Sequence, residues 1–337
     1  MSEAGKRAGR PLAGHFCAAL VSLEGDLEYF ASSLKLPRWS VLEGPCAMCA
    51  CKGYGPDTWK DFTSDAKWKT LVWTPHEWNL WSGKSTCRIF KVPGLTALNC
   101  SLDYMHSKYL GSDQYQFAGI FYLLCYHILP LSPLSNLKTV WQRMQELYKQ
   151  FGIVNRYRFF NRLTMFKKQS GALKLRGKAA EVKGVGLVVL KLWEQYYNPS
   201  VEVHRMALTM LKLNVRMEVI LADHKQERHL SPMAAKEFEA AAFQMGHLNH
   251  LIANHFDGED GLPSVCNVTA KLHMVMHCAQ YSGVLNPRLV WCFSGEDHMH
   301  FVKSLGQQCC KGLQPQDVCT KMVQHWRLGM DFQLKKV

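Results

Sequence analysis

Two closely spaced cysteines give the sharpest chemical signal in the sequence. Cys46 and Cys49 are separated by two residues and are followed by Cys51, in a stretch that runs GPCAMCACKGYG. Two thiolates at this spacing on a tight turn can share one tetrahedral zinc ion, and the neighbouring glycines permit the backbone of such a turn. The motif predicts half of a structural Zn²⁺ site, with buried free thiols as the alternative.

The second half of this zinc site is not evident, because no other Cys-x-x-Cys pair lies nearby. Cys87 is our candidate third ligand, and the other candidates on later segments are Cys100, His76 and His106. His273 and His277 share one helical face, but the sequence HMVMH lacks the glutamate of a metalloprotease helix. We interpret these two histidines as core or surface residues.

Carboxylates occur in two further motifs. Asp103, in the sequence DYMH, follows the apolar run 95–102, and Glu296 lies in WCFSGED after another apolar run. A carboxylate at the end of a strand is well placed to hold a divalent cation. The alternative is that Asp103 caps a helix beside a surface histidine, and that Glu296 begins a helix whose dipole favours negative charge.

Positive charge is concentrated in one segment. The chain has 40 basic and 27 acidic residues, a net charge of +13, and 13 basic against two acidic residues between positions 135 and 192. Arginine binds phosphate in a bidentate manner, so this segment predicts a DNA partner, whereas the aromatic residues interleaved with it are typical of a core. The candidate DNA-binding residues are Arg156, Arg158, Arg162, Lys167, Lys168, Lys174, Arg176, Lys178 and Lys183.

Composition excludes several classes of protein. With 337 residues, 47% of them apolar and 20% charged, the chain has the composition of a globular protein. Its longest apolar run, 117–128, is too short to span a bilayer, and the first residues lead into no signal-peptide hydrophobic region. We expect no membrane association, no secretion and a nuclear or cytoplasmic location. An oligomer is compatible with the sequence.

The pattern of apolar residues changes near position 112. Short apolar runs predict strands at 15–23, 69–73, 87–92, 95–102 and again at 288–293. Asp26 is placed to cap a short helix, and Ser231–Pro232 is a typical helix start. Spacings of three and four predict helices at 113–129, 135–152, 174–197, 202–226, 231–256, 268–283, 295–312 and 317–330.

The order of these motifs resembles the catalytic region of DDE transposases, most of all the CACTA (En/Spm) type. Cys-x-x-Cys, Asp-x-x-His, a long helical stretch, KLHMVMH and WCFSGE follow one another over roughly residues 20–305. The resemblance implies an α/β plus all-α fold, in which a partial RNase H-like mixed sheet is interrupted by a large helical insertion. It divides the chain into a Cys/Trp-rich portion (1–112), the insertion with its basic segment (113–268) and a C-terminal return of strand and helices (269–337).

The resemblance also assigns roles to residues. It makes Asp103 the second catalytic aspartate with His106 as its companion, makes Glu296 the final glutamate, and matches Cys46 and Cys49 to the family's paired cysteines. In such enzymes three carboxylates bind two Mg²⁺ or Mn²⁺ ions for strand cleavage and transfer.

The first catalytic aspartate of that family has no counterpart, because no aspartate precedes Asp26. We therefore expect a truncated, transposon-derived DNA-binding protein that is inactive in strand transfer. Two alternatives remain: a non-catalytic, zinc-bearing nucleic-acid-binding or scaffold protein, and a helical adaptor without a nucleic-acid role.

Overall fold

The computed structural model describes residues 22–81, 84–257, 263–312 and 314–334. Its α-helices, in chain order, are α1 (Leu27–Ser32), α2 (Pro75–Leu80), α3 (Asp113–Leu123), α4 (Pro133–Gln150), α5 (Ala179–Tyr196), α6 (Glu202–Asp223), α7 (Pro232–Phe256), α8 (Ala270–Gln280), α9 (Phe293–Cys309) and α10 (Pro315–Leu334). Single-turn 3₁₀ segments cover Lys67–Leu71, Arg88–Lys91, Ala97–Asn99 and Leu163–Met165. Two π-helical segments cover Met105–Ser112 and Leu124–Ile128.

The predicted RNase H-like mixed sheet is wrong: the part of the chain that the structure describes is all-helical. Its β-type pairing is confined to isolated bridges, such as those between Leu23 and Cys100 and between Cys49 and Val72. Residues 15–21 of the first predicted strand lie outside the described residues. The segments around 69, 90 and 97 are 3₁₀ turns, and 288–290 forms turns before α9.

Local hydrogen bonds explain why these short apolar runs are not strands. The amide of Phe90 donates to the Cys87 carbonyl oxygen, and the amide of Cys100 donates to that of Ala97, in the i→i+3 pattern. Thr96 also caps its own turn through its side chain. Backbone groups that are hydrogen-bonded within a turn need no neighbouring strand. The length of an apolar run alone does not distinguish a strand from a buried turn.

The chain divides into two compact units, the first of which includes Cys46, Cys49 and most residues before Asp103. Its core is a cluster of buried side chains: Phe30, Leu34, Leu36, Ala47, Trp78, Ala97 and Cys100. The Asp26 carboxylate accepts a hydrogen bond from the Tyr29 amide and begins α1, as the sequence predicts. With little regular structure, this unit depends on burial of aromatic rings.

The second unit consists of residues 60–64 and the chain from Asp103 onward. Helices α6 and α7 pack along one another, α5 packs on α6, and α8 packs against α7 and the first π-helical segment. Ser231 caps α7, with Pro232 in its first turn, as predicted. The central helix α3 is buried on nearly every side, which explains why residues 117–124 are almost uniformly apolar. The three-part division of the chain stays a prediction.

Across the described residues, we find no helix that combines the length and the apolar character needed to cross a bilayer.

Candidate functional site

The cysteine motif forms a buried turn. Cys46, Cys49 and Cys51 are all buried, and the amide of Met48 donates to the Cys46 sulfur at 3.3 Å. Backbone bonds hold the end of the turn, because the Ala50 amide donates to Leu71 and the Met48 carbonyl oxygen accepts from Trp73. An amide directed at a sulfur atom two residues earlier favours a thiolate there, as in a zinc-binding turn.

Burial sets the protonation state of these thiols. It raises the pKa of Cys49 far above its usual range, and contacts with Cys46 and Cys51 raise it further. The pKa of the Cys51 thiol is also raised, by its hydrogen bond with Cys46 and by burial. A bound cation is the ordinary means by which such thiols are held as thiolates.

Two histidines on α8 form a second buried pair. His273 and His277 are fully buried, and their spacing of four residues places both rings on one helical face. Their Nε2 atoms are 3.1 Å apart and their rings are nearly perpendicular. Two nitrogens bound at 2.0–2.1 Å to one tetrahedral zinc are separated by about 3.3 Å. The spacing fits a shared metal ion, and it also fits a hydrogen bond between the rings.

Two buried thiols lie beside this histidine pair. One ligand atom from each of Cys46, Cys49, His273 and His277 lies within 4.8 Å of all the others, and all four residues are buried. Two sulfurs and two imidazole nitrogens are a donor set typical of structural zinc sites. These four residues, which we call the Cys₂His₂ cluster, could therefore hold a metal ion.

The sequence identified half of this cluster. Cys46 and Cys49 are members, but the predicted third ligand Cys87 is not, since it packs with Cys100 against the core of the first unit. The interpretation of His273 and His277 as core or surface residues left their burial open, and it missed the thiols beside them. The i,i+4 histidine pair was the signal that could have located them.

The Asp103 carboxylate accepts hydrogen bonds from one local and one distant amide. It is buried, accepts from the Met105 amide at 2.9 Å and from the Cys292 amide at 3.1 Å, and contacts the His106 ring. These bonds begin the helical segment after Asp103 and tie it to the residue before α9. Asp103 thus acts as a helix cap, and the His106 ring contacts its carboxylate.

The structure leaves the predicted pairing of Asp103 with Glu296 open. Glu296 lies in the first turn of α9, four residues after Cys292, and its side chain lies outside the described residues. A catalytic role for Asp103, His106 and Glu296 stays a prediction, as does their Mg²⁺ or Mn²⁺.

A buried ion network was not foreseen from the sequence. Lys108 Nζ is fully buried and lies 2.8 Å from Asp113 Oδ2, 2.9 Å from Asn214 Oδ1 and 3.0 Å from Glu218 Oε1. Burial lowers the pKa of Lys108, but the two carboxylates outweigh it, so the net shift is upward. The π-helical segment brings Lys108 beside Asp113, five residues later, because its turns are wider than those of an α-helix.

The basic segment separates into two kinds of cation. Six side chains are exposed, and the described residues offer none of them an ion pair: Arg156, Arg158, Arg162, Lys168, Arg176 and Lys178. The aromatic residues between them are mostly buried, as predicted, with Tyr157, Phe160 and Phe166 in the core and Phe159 exposed. This alternation leaves the charges on the surface and uses the rings as anchors.

The other three predicted DNA-binding residues contact aromatic rings of the same chain. Lys167 Nζ lies 4.7 Å from the centre of the Tyr126 ring, Lys174 Nζ 5.5 Å from that of Tyr115, and Lys183 Nζ 4.4 Å from that of Trp291. These distances are typical of cation–π contacts. Burial lowers the pKa of Lys183, with Glu218 acting in the opposite direction. These lysines have internal roles that the exposed six do not have.

Comparisons of the chain with protein-family models, with curated proteins and with solved structures give no match. The Cys₂His₂ cluster and the exposed cations are therefore the observations on which a function can be proposed.

Proposed function

We propose that this chain is a non-catalytic nucleic-acid-binding protein that is stabilised by one structural zinc ion. The zinc would be held by the Cys₂His₂ cluster, and phosphates would be bound by the six exposed cations between Arg156 and Lys178. The cluster is the observation that carries the proposal, because among the residues that the structure describes it is the one constellation whose donor set specifies a ligand.

The arrangement of the cluster favours a structural over a catalytic zinc. A catalytic zinc keeps a coordination position for water or substrate, whereas a structural zinc has four protein ligands. Here four buried protein ligands are available. Cys51, buried beside the other two thiols, is the residue that would change the donor set to three sulfurs and one nitrogen.

Metal analysis tests this zinc site. Purified protein should contain about one zinc per chain, and X-ray absorption at the zinc edge should show two sulfur and two nitrogen neighbours. The Cys46→Ser/Cys49→Ser and His273→Asn/His277→Asn variants should each lose the metal. The matched control, Cys87→Ser, should keep it. Full zinc content in the double-histidine variant, or a metal-free wild-type protein, would contradict the site.

Nucleic-acid binding is supported by the position of the exposed cations. They occur over 23 residues that contain no acidic residue, the next one being Glu181, and they project from a segment whose rings are anchored in the core. The rings therefore pack in the core, and the charged side chains stay accessible to a ligand. Polyphosphate is the class of ligand that a surface of this kind attracts.

The salt dependence of binding tests the proposed partner. The logarithm of the association constant for DNA should fall linearly with the logarithm of salt concentration, because each neutralised phosphate releases counterions. A fluorescence-anisotropy titration with single-stranded and double-stranded oligonucleotides measures this slope. Absent binding, or binding that is insensitive to salt, would support the helical-adaptor alternative instead.

Catalysis is not part of the proposal. The sheet that a DDE catalytic core requires is absent from the described residues, and the Asp103 carboxylate serves as a cap. Nuclease and strand-transfer assays with Mg²⁺ or Mn²⁺ should be negative. If the wild-type protein is active and Glu296→Gln abolishes that activity, the proposal of a non-catalytic protein is wrong and the transposase interpretation is restored.

A further inference from the structure

A cleft lined by cations and aromatic rings lies at the beginning of the basic segment. It has a volume of about 320 Å³, and the residues that line it are Trp141, Gln145, Tyr148, Lys149, Arg156, Tyr157 and Arg158. That volume is in the range of clefts that hold small ligands. The four residues from α4 share one helical face, because Gln145, Tyr148 and Lys149 follow Trp141 by four, seven and eight positions.

The walls of the cleft differ in chemistry. Tyr148 and Tyr157 are buried and form its floor, while the indole of Trp141 is half-buried and keeps accessible surface. Trp141 is held in place by ring contacts with Tyr148 and Phe160, each with a centroid distance of 6.5 Å. Ring surfaces of this kind stack with nucleobases of any sequence.

The charged rim of the cleft is wholly positive among the residues that line it. Lys149, Arg156 and Arg158 are exposed, and the two arginines flank the buried Tyr157, so both side chains lie on the solvent side. Two acidic side chains close to the lining residues already have partners. Glu146 pairs with Arg143 at 2.7 Å, and Glu181, which acts electrostatically on Tyr148, accepts from the Lys178 amide at 2.8 Å.

We infer that this cleft binds one nucleotide of a single-stranded nucleic acid. The base would stack on Trp141, the Gln145 amide would face its polar edge, and Lys149, Arg156 and Arg158 would bind the adjoining phosphates. A base paired within a duplex cannot present its face to a side chain, so the cleft selects single strands. The inference rests on the proposed nucleic-acid binding and adds to it a position and a preferred form of the ligand.

Substitution of the ring tests this inference. Trp141→Leu keeps an apolar side chain but removes the stacking surface, and it should weaken binding of a 12-nucleotide oligothymidylate about tenfold. Binding of a 12-base-pair duplex should be unchanged, because the cations remain. Trp141→Phe should restore most of the single-strand affinity. The matched control, Trp326→Leu, removes an indole on α10, elsewhere in the same unit, where it contacts Phe301, and should leave both affinities unchanged.

A cross-linking experiment on the wild-type protein tests the same cleft without any substitution. A single strand that carries 5-iodouracil, irradiated in complex with wild-type protein, should cross-link to Trp141, Tyr148 or Tyr157. Peptide mapping by mass spectrometry identifies the site.

The outcomes separate this inference from the proposed function. Cross-links confined to other regions, or equal loss of single-strand and duplex affinity in Trp141→Leu, would overturn the cleft and leave salt-dependent binding intact. Failure of the wild-type protein to bind either oligonucleotide would overturn both.

Discussion

Two regions of the second unit carry basic side chains in opposite surroundings, one buried and one exposed. Around Lys108, the cation is fully buried, and its three donors meet Asp113, Asn214 and Glu218 at 2.8–3.0 Å. Between Arg156 and Lys178, six cations are exposed and have no ion pair among the described residues. The sign of the charge is the same, but the surroundings differ.

Partners within the protein make this difference. A lysine ammonium has three donors, so Lys108 has none left for a ligand. Asn214 completes the network by donating to Asp113 at 2.8 Å and to Gln116 at 3.1 Å. In the basic segment the buried side chains are three aromatic rings and two leucines, Leu173 and Leu175, which fix the backbone without neutralising any charge. A cation with an internal partner contributes to stability, and a cation without one is available for binding.

Removing the buried cation should have the largest effect. Lys108→Met leaves two carboxylates close together without a counter-charge, so we expect a loss of about 3–5 kcal/mol in the free energy of unfolding. Urea denaturation followed by circular dichroism measures it. The same substitution at the exposed Lys212 on α6 is the control, with an expected change under about 0.5 kcal/mol. Equal effects at the two positions would remove the distinction between the regions.

Removing three exposed cations should leave the fold unchanged and weaken binding. Arg156→Ala/Arg158→Ala/Arg162→Ala should lower DNA affinity and reduce the salt slope by about 2–3, because three phosphate contacts are lost. Anisotropy titrations at several salt concentrations measure both quantities. The control triple, Lys212→Ala/Lys225→Ala/Lys236→Ala, removes the same charge from exposed positions on or after α6. If both triples weaken binding alike, net charge rather than the segment determines it.

The smallest expected effect is a difference in stability and DNA affinity between variants of two adjacent lysines. Lys167 contacts the rings of Tyr122 and Tyr126, and Lys168 is exposed. Lys167→Met should cost about 0.5–1 kcal/mol of stability with little change in affinity, and Lys168→Met should do the reverse. Thermal denaturation and DNA titration of both variants test this. Identical behaviour would show that the cation–π contacts do not remove Lys167 from the binding surface.

The elements after residue 112 were largely predictable because their signal is local. Apolar spacing places helices where the structure has α4 to α8, and Ser231–Pro232 begins α7 as predicted. The predicted strands between residues 69 and 102 rested on weaker evidence and were wrong. An apolar run such as 95–102 fits a strand or a buried turn equally well, and here the Thr96 cap selects the turn. The RNase H-like fold that depended on those strands was therefore wrong.

For this protein, the sequence alone determined the spacing of Cys46 and Cys49, the concentration of positive charge near residue 160 and the helical periodicity. Each of these is set by neighbours within a few residues. Only the tertiary structure decided that His273 and His277 would complete the cysteine pair, and that Lys108 would be buried while Arg156 stayed exposed. Those outcomes depend on which distant side chains packing brings together, and no local pattern in one sequence encodes that.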